Sequence, residues 1–268
     1  MNQSPLIHAK NISNYYKKNI WLKLEILNPT GSHKDRESLA LLKEAKRKKI
    51  KHIGCASTGN LAISLSFFSK IYKIKSHIWL RKQDINLETV NLIKSLGAKL
   101  NVKKTNNLSE IYKLSSALMK NNKIFDANPN ESKIKLLANK KIVDEVYKQE
   151  NKIDTFVSCI NNGSHLIGLK LGIKKKHKVY GVYSKNKFAS SINSFSKYEK
   201  NLWKYFNFNS DFLEAREKQI KLGYKLLKTE GLTCEPAAAG IIGSINKINA
   251  NNICCIISGS IHKNIKQL

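Results

Sequence analysis

The stretch NPTGSHKDRES, residues 28–38, combines a proline, a glycine and a lysine at the junction of two predicted elements. It follows the apolar run IWLKLEIL, residues 20–27, and precedes LALLKEAKRKK, residues 39–49. The first run predicts a strand and the second predicts a helix, so the junction is a strand-to-helix turn. The backbone holds side chains in place in such turns, so Lys34 can be a functional lysine. The other interpretation is that Lys34 is one more solvated lysine in a lysine-rich chain.

Outward from this turn, predicted strands and helices alternate along most of the chain. Short apolar runs precede amphipathic segments of helical length, for example HIGCAS (52–57) before NLAISLSFFSKIY (60–72). Strands separated by helices of this length indicate parallel βαβ units. The pattern predicts an α/β fold with open, mostly parallel sheets flanked by helices. The segment 185–225 is polar and irregular, and we expect a surface excursion there.

Loops rich in Ser, Thr, Asn and Gly follow four of the predicted strands. They are the segments NPTGSHK (28–34), STGN (57–60), NNGSH (161–165) and SGSIHKN (258–264). In open α/β sheets the ligand lies beyond the carboxyl ends of the strands. Small polar residues at those ends offer hydrogen bonds to an anion without adding bulk, so these loops are the candidate binding site.

The net charge of +29 does not by itself predict a nucleic-acid partner. Only four of the 48 basic residues are arginine, whereas specific nucleic-acid sites rely on arginine forks and interleaved aromatic residues. The lysines are spread over the whole chain together with many Asn and Ile residues, all of which A/T-rich codons encode. We therefore expect no specific nucleic-acid ligand, although a basic surface binds polyanions weakly and in a salt-dependent way.

Composition and patterning favour a cytoplasmic protein. No apolar stretch approaches the roughly 18 residues that a membrane span needs. The N-terminal residues lack a signal-peptide pattern. The five cysteines have no CxxC spacing, and Cys254 and Cys255 lie in the apolar run ICCII, where thiols behave as small hydrophobes. The sequence thus predicts no membrane association, no metal site and no disulfide framework.

A series of segments, in the correct order, resembles one known family. NPTGSHKDR is similar to the NPTGSFKDR signature of threonine synthase and its relatives, the fold-type II enzymes that use pyridoxal 5′-phosphate (PLP). Other segments resemble the family's opening TPL, its STGN loop, its GAK turn, its EPASAA helix and its terminal TGHGLKD. They are SPLIHAKNI (4–12), STGNLAISLSFFSK (57–70), ETVNLIKSLGAKL (88–100), CEPAAAGIIGSI (234–245) and SGSIHKN (258–264).

The resemblance implies roles for individual residues. Lys34 would form the Schiff base with the cofactor aldehyde and act as the catalytic base once substrate displaces it. Asn60 would bind the ring hydroxyl of the cofactor and the substrate, and Ser57 and Thr58 would bind the substrate carboxylate. Ser258 would lie beside the pyridine nitrogen, where a neutral hydroxyl leaves that nitrogen unprotonated. Without the resemblance, Asn60 would be interpreted as a helix cap and Ser258 as an ordinary turn residue.

The loop INNGSHLIG, residues 160–168, departs from the glycine-rich phosphate loop of the family. The resemblance still assigns the cofactor phosphate to the residues Asn161, Asn162, Gly163, Ser164 and His165. Asn adopts left-handed conformations, and Ser164 offers its own hydroxyl. His165 would add positive charge near the phosphate, although a loop histidine is usually solvated.

Two further departures flank the lysine of the signature. His33 replaces the usual aromatic residue before Lys34, and Glu37 replaces the glycine that usually follows Asp-Arg. The chain is also shorter than most relatives, with the loss concentrated around 185–225. These departures bear on activity more than on fold.

The resemblance implies two domains and a reaction on a small amino-acid substrate. Residues 1–45 and 131–268 would form a large PLP-binding domain, and residues 46–130 a small mobile α/β domain, with the cofactor in the cleft between them. The first expectation is a PLP-dependent lyase of the threonine synthase type, converting O-phospho-L-homoserine and water to L-threonine and phosphate. The alternatives are serine/threonine dehydratase, cysteine or cysteate synthase, and a degenerate non-catalytic descendant. Homodimers are common in the family, but the sequence itself shows no interface.

Overall fold

The structure is a computed structural model, and it describes residues 3–57, 59–105, 107–128, 132–160, 163–185 and 204–261. The chain divides into two compact units. Unit 1 comprises Met1–His33 and Glu131–Leu268, and unit 2 comprises Lys34–Asn130. The first division therefore falls immediately before Lys34, whereas the sequence places it after residue 45.

The described segments contain ten strands and ten α-helices. The strands are β1 (Leu6–His8), β2 (Asn19–Leu24), β3 (His52–Ala56), β4 (Lys75–Arg81), β5 (Lys99–Lys103), β6 (Phe125–Asp126), β7 (Thr155–Cys159), β8 (Lys178–Tyr183), β9 (Phe212–Glu214) and β10 (Asn252–Ile257). The helices are α1 (Lys10–Tyr16), α2 (Lys34–Arg47), α3 (Asn60–Tyr72), α4 (Leu87–Ser95), α5 (Leu108–Asn121), α6 (Lys133–Gln149), α7 (Ser164–Gly172), α8 (Phe208–Asp211), α9 (Glu217–Thr229) and α10 (Pro236–Gly243).

Unit 1 is built on a six-stranded sheet in the order β1-β2-β10-β7-β8-β9. The β1–β2 pair is antiparallel, and the other four pairs are parallel. Successive side chains of a strand point to opposite faces, so Cys254 packs into one apolar cluster and Cys255 into the other. The sheet is therefore covered on both faces, as a mostly parallel sheet requires.

Unit 2 is built on a four-stranded parallel sheet in the order β5-β4-β3-β6. Helices α2 and α3 pack against each other beside it. Acidic residues in the first turn of α2 and basic residues in its last turn complement the helix dipole. Together the two sheets confirm the predicted α/β class with open, mostly parallel sheets.

The structure corrects three details of the sequence prediction. Strand β2 ends at Leu24, and a 3₁₀ turn, Glu25–Leu27, replaces the last predicted strand residues. Helix α2 begins at Lys34, so this lysine is the first residue of the helix instead of part of the turn. Within the segment expected to be irregular, residues 186–203 lie outside the described residues, and the remainder contains α8, β9 and most of α9.

Helix α10 is fully buried and packs closely on α9. A Cβ added at Gly223 of α9 would lie 1.8 Å from the carbonyl oxygen of Ala239 in α10. Only glycine permits this approach of the two backbones. All five cysteines are buried thiols. No helix among the described residues has the length and apolar character needed to cross a membrane.

Candidate functional site

Backbone hydrogen bonds join the loop before Lys34 to the segment after β10. The His33 N–H donates to the Ser258 carbonyl at 2.9 Å, and the Ser260 N–H donates to the Gly31 carbonyl at 2.9 Å. Gly31 has a φ of 76°, a left-handed conformation that favours glycine. The proline–glycine signature thus folds into a defined turn whose position is set by the neighbouring strand end.

Lys34 is a buried lysine paired with a buried glutamate. Its side-chain amine, Nζ, lies 3.0 Å from each carboxylate oxygen of Glu37. Lys34 is 4% exposed and Glu37 is 0% exposed. Residues three apart on a helix lie on the same side, which brings the two groups together at the start of α2. Lys34 is therefore not one more solvated lysine.

Two serine hydroxyls flank Lys34 without a hydrogen-bond partner among the described residues. Ser32 precedes the lysine by two residues, and Ser38 follows it by one helical turn. Both side chains are fully buried. Buried hydroxyls without a partner are uncommon and each calls for a partner such as water or a ligand. Ser32 and Ser38 therefore each offer a buried hydroxyl that a bound polar molecule could use.

Ser258 follows β10 and belongs to a buried series of hydrogen-bonded side chains. Its Oγ donates to Oε1 of Glu235 at 2.9 Å, and the Cys159 Sγ lies 3.3 Å from the same Oγ. A Cβ added at Gly259 would lie 2.6 Å from the Glu235 carboxylate. Ser258 therefore does more than terminate a strand, since its hydroxyl proton is held by a carboxylate and its oxygen remains an acceptor.

His165 lies in the first turn of α7 and is 4% exposed, so the interpretation of a solvated loop histidine is wrong. Its Nδ1 is 3.0 Å from Asn139 Oδ1, and its Nε2 is 2.8 Å from Ser158 Oγ. The His33 ring packs on it with centroids 4.4 Å apart. Both ring nitrogens of His165 thus have protein partners, and the ring fixes the start of α7 against its neighbours.

Helix α7 begins after Gly163, which has a φ of 82°. Ser164 is buried at the first helical position. The first backbone N–H groups of a helix lack partners within the helix and favour anions. Asn161 and Asn162, the other residues assigned to the phosphate, lie outside the described residues.

The STGN loop follows β3 in unit 2. The Gly59 N–H donates to the Ser57 Oγ at 3.3 Å, and α3 begins at Asn60. Gly59 is the residue at the helix N-cap, so Asn60 is not the cap that its sequence position suggested. A Cβ at Gly59 would meet nothing within 4 Å, which leaves open space beside this loop. Thr58 lies outside the described residues.

Sequence reasoning missed several residues that position these loops. Asn128 accepts from the Ala56 N–H at 2.6 Å and so fixes the end of β3. Glu235, Asn139 and Ser158 were given no role, and His33 and Glu37 were noted only as departures from the resemblance. Of these residues, only Glu235 could have been found from the sequence. It is a single carboxylate directly before an apolar helix, which indicates a specific role.

The described residues fit PLP in chemical type. Lys34 supplies a buried primary amine for an aldehyde, and the turn at Gly163 leads into a helix N-terminus. Ser258 supplies a hydroxyl, which must turn its proton from Glu235 to an unprotonated ring nitrogen in order to bond it. The buried hydroxyl of Ser32, which has no partner among the described residues, leaves a hydrogen bond for a polar ligand. Among the same residues, no group of three or more His, Cys, Asp or Glu side chains is placed to bind a metal.

A family model described as "Pyridoxal-phosphate dependent enzyme" matches residues 1–259. A putative mitochondrial cysteine synthase of Saccharomyces cerevisiae is 25% identical over 194 residues, which cover 66% of this chain and 49% of that protein. Cysteine synthase B of Campylobacter jejuni is 28% identical over 186 residues, covering 65% and 59%. The matched region therefore spans about half of the first of these relatives and three-fifths of the second.

The fold has a close counterpart among solved structures. Serine racemase from Dictyostelium discoideum superposes with a TM-score of 0.85, covering 97% of this chain and 92% of that one. The sequences are 19% identical, so the likeness concerns the fold alone. It confirms the prediction of a fold-type II architecture.

Proposed function

Because the chain belongs to the family of pyridoxal-phosphate dependent enzymes, we propose that it uses PLP to replace or eliminate a group at the β-carbon of an amino acid. The observation that carries the proposal is the buried amine of Lys34, inside the stretch NPTGSHKDRES. The curated relatives named above are cysteine synthases, which supports a β-replacement. Family membership confirms PLP as the expected cofactor.

Residues of the four polar loops would hold the cofactor. Lys34 would provide the covalent attachment, Asn60 would bind the ring hydroxyl, and Ser258 would lie at the ring nitrogen. Gly163 and Ser164 would bind the phosphate together with Asn161, Asn162 and the start of α7. When bound, PLP supplies an electron sink for negative charge on the carbon next to the amino group.

The chain's own side chains would bind the substrate and move its protons. Ser57, Thr58 and Asn60 would bind the substrate carboxylate. Lys34 Nζ would accept the proton from the α-carbon and donate a proton later in the reaction. His165 would act through the backbone at the start of α7, because Asn139 and Ser158 already bond its ring.

A threonine synthase activity is the second candidate, favoured by one observation. NPTGSHKDR differs from the threonine synthase signature NPTGSFKDR only at His33. In that reaction Lys34 would move protons at both the α- and the β-carbon, phosphate would leave from the γ-carbon and water would add at the β-carbon.

Product analysis tests both candidates. The purified chain is incubated with PLP and, separately, with O-acetyl-L-serine plus sulfide, with L-serine, and with O-phospho-L-homoserine. We expect cysteine or pyruvate from the first two mixtures, and no product above free PLP from the Lys34→Ala variant. Threonine and phosphate from the third mixture would instead establish the second candidate. A chain that binds PLP but forms none of these products would contradict both.

A further inference from the structure

We propose that Glu37 is the positioning residue of Lys34: it holds the amine as an ammonium and is the acceptor for its proton. The carboxylate approaches Lys34 Nζ symmetrically, with both oxygens at 3.0 Å. The two residues belong to the first turn of α2, so the helix backbone fixes their spacing. The importance of the pair for catalysis rests on the proposed function, whereas its effect on the charge of Lys34 does not.

Burial makes this pair different from the ion pairs on the protein surface. Water and salt weaken the attraction between exposed charges but act little on a buried pair. An ammonium buried without a counter-charge is strongly disfavoured. Among the described residues, Glu37 provides the carboxylate recorded next to Lys34 Nζ. Glu37 is therefore the counter-charge of the buried lysine.

The same carboxylate is placed to take part in the chemistry of the amine. An ammonium has no free electron pair, so Lys34 must release a proton before its nitrogen can attack a carbonyl carbon. Glu37, at 3.0 Å, is the acceptor. The nitrogen electron pair then forms the carbon–nitrogen bond, one further proton passes from nitrogen to the carbonyl oxygen, and that oxygen leaves as water once it has received a second proton, from Glu37. Glu37 returns its proton in this last step, so atoms and charge balance.

The charge of Lys34 can be measured without the cofactor. The full chain is freed of PLP, and each lysine is methylated with formaldehyde and cyanoborohydride at about pH 7.5, where an unperturbed lysine is mostly protonated. Peptide mass spectrometry gives the rate at Lys34 relative to exposed Lys225 in the same sample. Glu37→Gln keeps the side-chain shape and removes the charge. Glu37→Asp keeps the charge.

We expect Lys34 to react about tenfold faster in Glu37→Gln than in the wild type, with Glu37→Asp closer to the wild type. The matched control is Glu44→Gln, which removes an exposed pair with Arg47 from the other end of the same helix and should leave the Lys34 rate unchanged. Hydrogen exchange of the α2 amides excludes faster reaction through local unfolding. A Glu37→Gln rate within about twofold of the wild type would overturn the proposal.

If Glu37→Gln does not fold, the wild-type chain provides the test. Its ¹⁵N-labelled Lys34 Nζ should give the signal of an ammonium at about pH 7.5, and the signal of a neutral amine would overturn the proposal. Both measurements use the cofactor-free chain. A chain that shows the Glu37 effect but never binds PLP would leave this proposal standing while the proposed function fails, so the two failures are distinguishable.

Discussion

Lys34 Nζ lies 3.0 Å from both carboxylate oxygens of Glu37, and neither side chain is more than 5% exposed. A buried ion pair of this kind gains little net stability, because removing two charges from water offsets their attraction. Removing one partner is costly, however, since it leaves the other charge alone. The pair therefore serves to give the buried Lys34 amine a counter-charge more than to stabilise the fold.

The first prediction concerns the stability of this pair. Glu37→Leu should lower the free energy of unfolding by about 3 kcal/mol, because it leaves the Lys34 ammonium buried alone. Lys34→Met combined with Glu37→Leu should recover part of that loss, since the unpaired ammonium is then removed as well. Urea denaturation measures all three chains. A double variant as unstable as the sum of the single variants would contradict the pairing.

The buried ring of His165 gives a second prediction. Ser158→Ala removes a hydrogen bond to Nε2 of this buried ring, which should cost about 1–3 kcal/mol of unfolding free energy. Ser95→Ala is the control, because the Ser95 hydroxyl donates to the Leu92 carbonyl at an exposed site. Its effect should stay within about 0.5 kcal/mol. Equal effects of the two substitutions would show that the His165 bond contributes nothing.

A third prediction follows from two histidines in unit 2. His52 Nδ1 lies 3.0 Å from His77 Nε2. Burial lowers the pKa of His77, and the nearby charges of His52, Lys99 and Lys75 lower it further. The unfolded chain, with a histidine pKa near about 6.5, then binds a proton that the folded chain does not.

Stability should therefore be retained above about pH 6.5 and should fall as the pH falls below that value. The measurement is urea denaturation at several pH values. His77→Gln removes the titrating group and should reduce the loss of stability on acidification. An unchanged pH dependence in the variant would contradict a lowered pKa at His77.

The close packing of α9 on α10 gives a fourth prediction. Gly223→Ala would place a methyl group 1.8 Å from the Ala239 carbonyl oxygen, so the helices must separate. We expect a loss of about 3 kcal/mol in thermal or urea unfolding. Lys225→Ala, at an exposed position of the same helix, should change stability by less than about 0.5 kcal/mol. Similar stabilities of the two variants would refute this close approach.

The alternation of elements could be predicted from the sequence because periodicity depends on local patterns of burial. Strands β3 and β4 and helices α3 and α4 follow apolar runs closely. The start of α2 at Lys34 was less predictable, because the turn is fixed by bonds from His33 and Ser260 to residues distant in the chain. Helix α9 was not predicted, because its buried residues Ile220, Leu226 and Leu227 are separated by many polar residues in the sequence.

Residues of the candidate site could be predicted only where they belong to a motif that resembles one of a known family. Lys34 and Ser258 were identified through the resemblance, not through composition. The partners Glu37 and Glu235 act through side-chain contacts that no spacing rule reports. The burial of His165 was missed because its partners, Asn139 and Ser158, come from a helix and a strand elsewhere in unit 1. A histidine that appears in a polar loop sequence can thus lie inside the fold.

The most direct test of the account is the visible absorption spectrum of the purified chain with added PLP, before and after borohydride reduction. We predict a long-wavelength band that reduction abolishes while fixing the cofactor to the peptide that contains Lys34. Lys34→Ala should lack both the band and the labelled peptide. A wild-type chain that stays colourless, or a reduced cofactor attached to a different lysine, would contradict the assignment of Lys34 as the cofactor lysine.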